Sequence, residues 1–443
     1  MLTGLRASFL AGGGALFILV SVGAKVFGAD DPDASVRQED WSHQLILGDF
    51  YQRGEEEECR FFENRIRRDS DDIHSLNALV DIYLRKLRQT GDLGWLDRAS
   101  ETVRRSLASL AAVANVQAIM LQARVETEFH HFAKARDLAE EFLKQQPADP
   151  AGLEVLGDAL LELGDYTEAA GAFEKLRALF AEEELPAEVD TRLAHLAWIR
   201  GDEGAAVEDY SRAIARARSM PSGFVEMQAF CLVQLGQLSF ERGAWAHAWE
   251  CYTQALAILP SYYPAFDHLA ELAAAEGRFS IAIDLYKQLI MRVDRPEFDQ
   301  MLADLLIYLQ RYGEAKPWID AAERSYSASV DRGLVYNNHN LVSFYCDTDL
   351  KPEAAVQVAR RDLENVHSIF AYAGMGWALY RQGDYQGAAQ AFDRALVFQT
   401  PSAHLYYEAG TAYFRAGQLV KGRDCLQRAY ALDPKFFNFH VHR

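Results

Sequence analysis

Few residues of this sequence are spaced in a way that supports chemistry. The five cysteines are scattered and form no CxxC pair: Cys59, Cys231, Cys251, Cys346 and Cys425. A structural zinc site or a disulfide framework needs close and regular spacings. The sequence therefore predicts that the cysteines are small apolar residues of the core.

Other catalytic and ligand-binding motifs are equally sparse. The sequence contains no Walker-type phosphate loop, no GxSxG and no HExxH. Gly374 and Gly376 fall in a helical pattern, where close helix packing explains them. His130-His131 lies at a predicted turn, and His440 and His442 lie near the C-terminus, which is too little to predict a metal site. We therefore expect no catalytic residues, no cofactor and no bound metal, and hence no enzyme.

The overall charge argues against nucleic acid as a partner. The chain has 443 residues and a formal net charge of -19, and half of its residues are hydrophobic. An acidic chain repels phosphate backbones and anionic lipid surfaces. The basic clusters at residues 65–68 and 104–105 are short and lie in helical stretches, so we interpret them as solvated helix faces.

The elements that must position any functional residues are helical hairpins, and the clearest spans about residues 228–262. Gly243 predicts the turn, because glycine adopts the positive φ that lets the chain reverse. Ala248 and Ala255 lie on one face of the second helix, where small side chains allow two helices to cross closely. Tyr252 is expected to fill the gap between neighbouring hairpins.

The same pattern of a small residue, a turn glycine and an aromatic residue recurs at a period of about 34 residues. It is found at Gly157, Gly164 and Phe173, at Ala194, Gly201 and Tyr210, at Ala270, Gly277 and Tyr286, and at Gly376, Gly383 and Phe392. In this respect the chain resembles the tetratricopeptide repeat family. The resemblance covers nearly everything after residue 40, with about eleven hairpins. It implies an all-α, right-handed superhelical solenoid whose concave face is lined by the first helix of each hairpin.

The N-terminus differs from the rest. Ala7 to Ala24 is an 18-residue run without charge, preceded by Arg6. Such a run lies on the border between a cleaved signal peptide and a spanning helix. Both alternatives carry the rest of the chain across a membrane, since positive charge stays inside. We therefore expect a bacterial protein that is periplasmic, or anchored in the inner membrane with its repeats outside the cytoplasm.

These patterns divide the chain into five segments. A signal peptide or anchor (1–24) and an exposed linker (25–40) precede divergent N-terminal helical repeats (41–114), the tetratricopeptide array (115–436) and a short tail (437–443). Glycosyltransferases with such repeats carry a large α/β region after them. We expect no such region here, because only the tail follows the last repeat.

The concave face is the expected binding site. The candidate partner-binding residues are Asp158, His195, Trp198, Gln237, Phe240, Asp267, Glu271, Asp304, Trp377 and Tyr380. Family members that grip a C-terminal carboxylate do so with Lys and Asn from the first helices, whereas the matching positions here hold Glu, Asp, Gln and Thr. An acidic groove with aromatic flanks instead suits a basic or mixed-charge extended peptide. The alternative is that these aromatic residues only pack the superhelix.

The predicted function is a non-catalytic scaffold that binds partner polypeptides in this groove. The alternative is an assembly or regulatory component of a cell-envelope export or biogenesis machine, such as one for polysaccharide secretion. Contact with a membrane is expected only through the N-terminal segment.

Overall fold

The computed structural model describes residues 53–110, 114–220, 224–331, 338–364, 366–436 and 438–439. Every regular element within them is helical, and none is a strand. They belong to one compact unit, Ile46–Arg443. The predicted segments 1–24 and 25–40, as well as His440 and His442, lie outside the described residues.

The helices follow one another as antiparallel hairpins. The first eleven are α1 (Arg53–Arg68), α2 (Ile73–Thr90), α3 (Gly94–Ser109), α4 (Val116–Glu128), α5 (Phe132–Gln145), α6 (Pro150–Leu163), α7 (Tyr166–Arg177), α8 (Ala187–Ile199), α9 (Glu203–Ser219), α10 (Val225–Phe240) and α11 (Trp245–Ile258). The others are α12 (Tyr263–Ala275), α13 (Phe279–Arg292), α14 (Pro296–Tyr308), α15 (Tyr312–Asp331), α16 (Asn338–Ser343), α17 (Pro352–Asp362), α18 (Ile369–Gln382), α19 (Tyr385–Ala395), α20 (Ala403–Arg415) and α21 (Leu419–Leu432). A 3₁₀ turn at Glu182–Glu184 precedes α8, and a π turn at Phe344–Thr348 continues α16.

The hairpin of α10 and α11 shows why the sequence folds in this way. A Cβ atom at Gly236 would lie 2.3 Å from the ring of Tyr252, so only glycine lets the two helices approach this closely. Tyr252, Ala248 and Ala255 are completely buried. Tyr252 also stacks on His268 of α12, in the next hairpin, so the close crossing and the filling of the gap between hairpins are both confirmed.

The turns reverse the chain through left-handed backbone conformations. Gly243 has φ of 65°, as predicted. Where the repeat lacks its glycine, another residue adopts the same conformation: His130 between α4 and α5 (φ 59°) and Leu350 between the π turn and α17 (φ 52°). The turn geometry is thus kept even where the side chain makes it less favourable.

The superhelix returns to its own edge after one turn. The backbone N–H of His367 donates a hydrogen bond to the carbonyl oxygen of Leu163 at 2.9 Å. The hydroxyl of Thr400 donates to the carbonyl oxygen of Ile199, which lies 201 residues earlier, at 2.5 Å. We call this line of contacts between consecutive turns the seam.

Ala248→Leu should destabilise the protein by about 1–3 kcal/mol, because the larger side chain overpacks a close helix crossing. Chemical denaturation measures the loss. The matched control is Glu250→Gln, an exposed position two residues along the same helix. Equal effects of the two substitutions would mean that the packing face of α11 has been misassigned.

Candidate functional site

The concave face is built from the first helix of each hairpin. Neighbouring first helices touch one another along the chain, from α2 through α4, α6, α8 and α10 to α12, and again from α16 through α18 to α20. The predicted site residues lie on these helices and on α14, as the repeat pattern required: Asp158 on α6, His195 and Trp198 on α8, Gln237 and Phe240 on α10, Asp267 and Glu271 on α12, Asp304 on α14, and Trp377 and Tyr380 on α18.

Arg192 joins α8 to α6 across this face. Its guanidinium donates to both carboxylate oxygens of Asp158, at 2.9 and 2.8 Å, and lies 3.6 Å from Glu154. A bidentate pair of this kind is among the stronger charged interactions in proteins. Asp158 is therefore neutralised from within the chain. The sequence prediction missed Arg192, although it stands 34 residues after Asp158, one repeat further on.

A second link joins α10 to α12. The side-chain amide of Gln237 and Nε2 of His268 are 2.8 Å apart, and Nδ1 of His268 lies 3.4 Å from Glu271. In the tautomer that satisfies both contacts, His268 accepts from Gln237 and donates to Glu271. Glu271 is only 3% exposed. Gln237 and Glu271 are thus members of an internal hydrogen-bonded network.

The other two predicted carboxylates, Asp304 and Asp267, lie in different surroundings. Asp304 accepts a hydrogen bond from the hydroxyl of Thr348 at 2.6 Å. Asp267 is half-buried, and its burial raises its pKa to about 7, with Glu271 and Glu297 acting in the same direction and His268 and Arg295 opposing it. Glu162, which the sequence prediction did not include, behaves in the same way: burial and the nearby Asp158 raise its pKa to about 7. The concave face therefore holds less negative charge near neutral pH than its sequence suggests.

Three of the predicted residues on α8 and α10 take part in packing. Trp198 stacks on Phe370, with ring centroids 5.9 Å apart, and so covers the seam from inside. His195 lies against Trp198, and burial lowers the pKa of its imidazole. Phe240 is buried and stacks on Trp245. The positions of Trp198 and Phe240 are therefore explained by packing within the superhelix, which is the alternative that the sequence left open.

Trp377 and Tyr380 form a different arrangement on α18. Their rings are nearly parallel, with centroids 4.8 Å apart, and both side chains are partly buried. The indole N–H of Trp377 donates to Asp347 at 2.9 Å, which fixes the ring. Burial raises the pKa of Asp347 to about 6, against the opposing effect of Arg381. We call Asp347, Trp377 and Tyr380 the aromatic patch.

Sequence reasoning missed one member of the patch, Asp347, and one neighbour of the patch, Arg381. Asp347 lies in the π turn, and Arg381 lies beside the ring of Trp377, 5.9 Å from its centroid. The π turn interrupts the helical period before Asp347, so the repeat pattern does not place this residue on the concave face. Trp377 and Tyr380 follow the regular repeat spacing, and for this reason the sequence predicted both of them.

The described segments form neither a metal-binding cluster nor a disulfide. They contain no group of three or more His, Cys, Asp or Glu residues placed to hold a metal ion. The five cysteines are unbridged, and burial raises the pKa of the Cys231 thiol to about 12. No helix between residues 53 and 439, where the structure is described, is long and apolar enough to cross a membrane.

Comparisons with known proteins find one family model and solved structures of low sequence identity. The tetratricopeptide repeat family model matches residues 120–184 and 374–435. Yeast Tom70, as seen in its crystal structure, is similar over 81% of this chain and 85% of its own, with 14% identity and a TM-score of 0.38. The human IFIT1 dimer with PPP-AAAA is similar over 90% of this chain and 99% of its own, with 13% identity and a TM-score of 0.43.

No curated protein matches the chain in sequence. Residues 120–184 and 374–435 match the tetratricopeptide repeat, and the described residues form an all-α superhelix of tetratricopeptide-type hairpins.

Proposed function

We propose that this protein is a non-catalytic scaffold that binds partner polypeptides on the concave face of its superhelix. The observation that carries the proposal is the aromatic patch. Two stacked rings that are partly exposed, one of them held in place by a carboxylate, offer a rigid contact surface at little cost in side-chain entropy. Aromatic residues of this kind dominate the energetics of many protein interfaces.

The partner segment is proposed to be extended and of basic or mixed charge. Asp267 lies on α12 and Asp347 in the π turn that continues α16, and the net charge of the protein is -19. Cationic side chains are attracted both to carboxylates and to the faces of aromatic rings. We refine the predicted site accordingly: Trp377, Tyr380 and Asp267 contact the partner, whereas Asp158, Gln237, Glu271 and Asp304 hold the first helices together.

A second candidate function is an assembly or regulatory component of a cell-envelope export or biogenesis machine. The apolar run from Ala7 to Ala24 favours it, because such a run would place the repeats on the periplasmic side of a bacterial inner membrane. The two candidates differ in their partners rather than in the binding face. Identifying the polypeptides that contact the aromatic patch would distinguish them.

A photoreactive phenylalanine analogue placed at Tyr380 should form covalent adducts with partner polypeptides in cells. The analogue keeps an aromatic ring at the patch and reacts only with molecules in direct contact. Electrophoresis and mass spectrometry measure the adducts.

The matched control for this experiment is the same analogue at Gln390, an exposed residue of α19, the second helix of the same hairpin. Adducts from position 380 and none from position 390 are expected. Adducts from position 390 alone would place the partner on the convex side and end the proposal.

Asp267→Asn should raise the thermal stability of the protein at pH 8 and change it much less at pH 4. The pKa of Asp267 is about 7 when folded, against an ordinary value of 3.8. The stability that comes with the neutral carboxyl is therefore present below pH 3.8 and is lost as the pH rises through about 7. Glu250→Gln, at an exposed position, is the control. A benefit of the same size at both pH values would contradict the titration of Asp267.

A reporter that is active only in the periplasm, fused after Arg443, should be active. Arg6 is expected to hold the start of the chain in the cytoplasm while the apolar run carries the rest across. Activity of a cytoplasmic reporter at the same position would refute export. Mass spectrometry of the mature N-terminus then separates the alternatives, since a start at Lys25 indicates a cleaved signal and an intact Met1 indicates an anchor.

A further inference from the structure

The turn glycines between first and second helices fall into two groups. All adopt positive φ, for example 89° at Gly164 and 96° at Gly383. A Cβ atom at Gly164 would lie 2.4 Å from the carbonyl oxygen of His367, in the next turn of the superhelix. Among the described residues, nothing lies within 4 Å of a Cβ atom at Gly383. A larger residue at Gly164 would therefore meet both backbone strain at positive φ and a clash with His367. At Gly383 it would meet the backbone strain alone.

The same division holds along the superhelix. Added Cβ atoms at three further turn glycines would meet residues roughly one turn later: Gly91 meets Val293, Gly201 meets Phe398, and Gly243 meets Asp433. At Gly277 and Gly417 the described residues leave open space, as at Gly383. The close approaches thus belong to the earlier turn glycines, on which the following turn of the superhelix rests.

Side chains complete the seam between these turns. The hydroxyl of Tyr166 accepts a hydrogen bond from the backbone N–H of Ile369 at 3.0 Å, and its ring packs edge-on against Phe398 at 5.1 Å. Lys435 lies over the ring of Trp245, 4.1 Å from its centroid. Since these contacts join the edges of consecutive turns, they close the lateral opening that an extended superhelix would leave between them.

The two turns are not in continuous contact along the seam. A cleft of about 270 Å³ that is open to solvent lies between them, lined by Thr167, Tyr166, His367, Tyr372 and Val397 among others. The turns are therefore held together at separate points, with solvent between these points.

We infer that the seam is a gate for the concave face: while it is closed, a polypeptide can enter only at the ends of the superhelix, and separation of the two turns opens a lateral entrance. This inference rests on the proposed function, because a gate matters only if a polypeptide binds on the concave face. The gate itself is a physical property of the fold, and it can be tested without a partner.

The test compares how fast a small and a large chemical probe reach a thiol on the concave face. Asp267→Cys places a thiol there, in a Cys425→Ser background, since the four other native cysteines are buried. N-ethylmaleimide is the small probe, and a maleimide carrying a polyethylene glycol chain comparable in bulk to a peptide is the large one. We expect the large probe to react several-fold more slowly than the small one, relative to their rates with an unfolded protein.

Gly164→Ala and Gly383→Ala form the matched pair. Both place a side chain at positive φ, but only Gly164→Ala also pushes against the backbone of His367. Gly164→Ala should accelerate the large probe several-fold and leave the small probe unchanged, whereas Gly383→Ala should change neither. Equal effects of the two substitutions, or a wild-type seam that already admits the large probe freely, would overturn the inference.

A second pair covers the case in which Gly164→Ala does not fold. Thr400→Val removes the hydrogen bond across the seam to Ile199, and Thr411→Val removes one within α20, to Tyr407. Only Thr400→Val should speed the large probe; no difference between the pair would overturn the gate. Failure of the proposed function would appear elsewhere, as a lack of adducts at Tyr380, with the probe rates unaffected.

Discussion

The close crossing of two helices at a small residue is the constraint on which the rest of this structure depends. In three hairpins a glycine of the first helix faces an aromatic ring of the second: Gly157 with Phe173, Gly236 with Tyr252, and Gly376 with Phe392. The missing Cβ atom sets how closely the helices lie. It therefore also sets the angle at which each hairpin meets the next, and the summed angles determine the path of the superhelix.

This constraint explains which parts of the fold the sequence predicts. The crossing residues, the turn glycine and the buried tyrosine lie within one repeat, as at Ala248, Gly243 and Tyr252, so their spacing is visible in the chain. The concave position of Asp158 or Trp377 follows from the same register. The repeat spacing does not show which side chain of another repeat each residue contacts. Asp158 was predicted to bind a partner, whereas Arg192, one repeat later, neutralises it.

The seam could not be predicted, because it joins residues such as Leu163 and His367 that no pattern within a repeat relates. A small change in the angle between hairpins, accumulated over a whole turn, would separate the two edges. The seam also alters the energetics expected of a solenoid, in which each repeat stabilises only its neighbours. Here the hairpin that contains Tyr166 also depends on the one that contains Phe398, so distant repeats share part of their stability.

The electrostatics of the concave face follow from the same packing. First helices that lie this close need polar links between them, and the carboxylates of the predicted acidic groove supply several, as Asp158 and Asp304 show. Burial then favours the neutral form of a carboxyl such as Asp267, which has no such link among the described residues. The formal charge of -19 therefore overstates the field that a partner meets inside the superhelix. Recognition on this face must rest more on contact with rings such as Trp377 and Tyr380 than on long-range attraction, which salt screens beyond about 8 Å at physiological ionic strength.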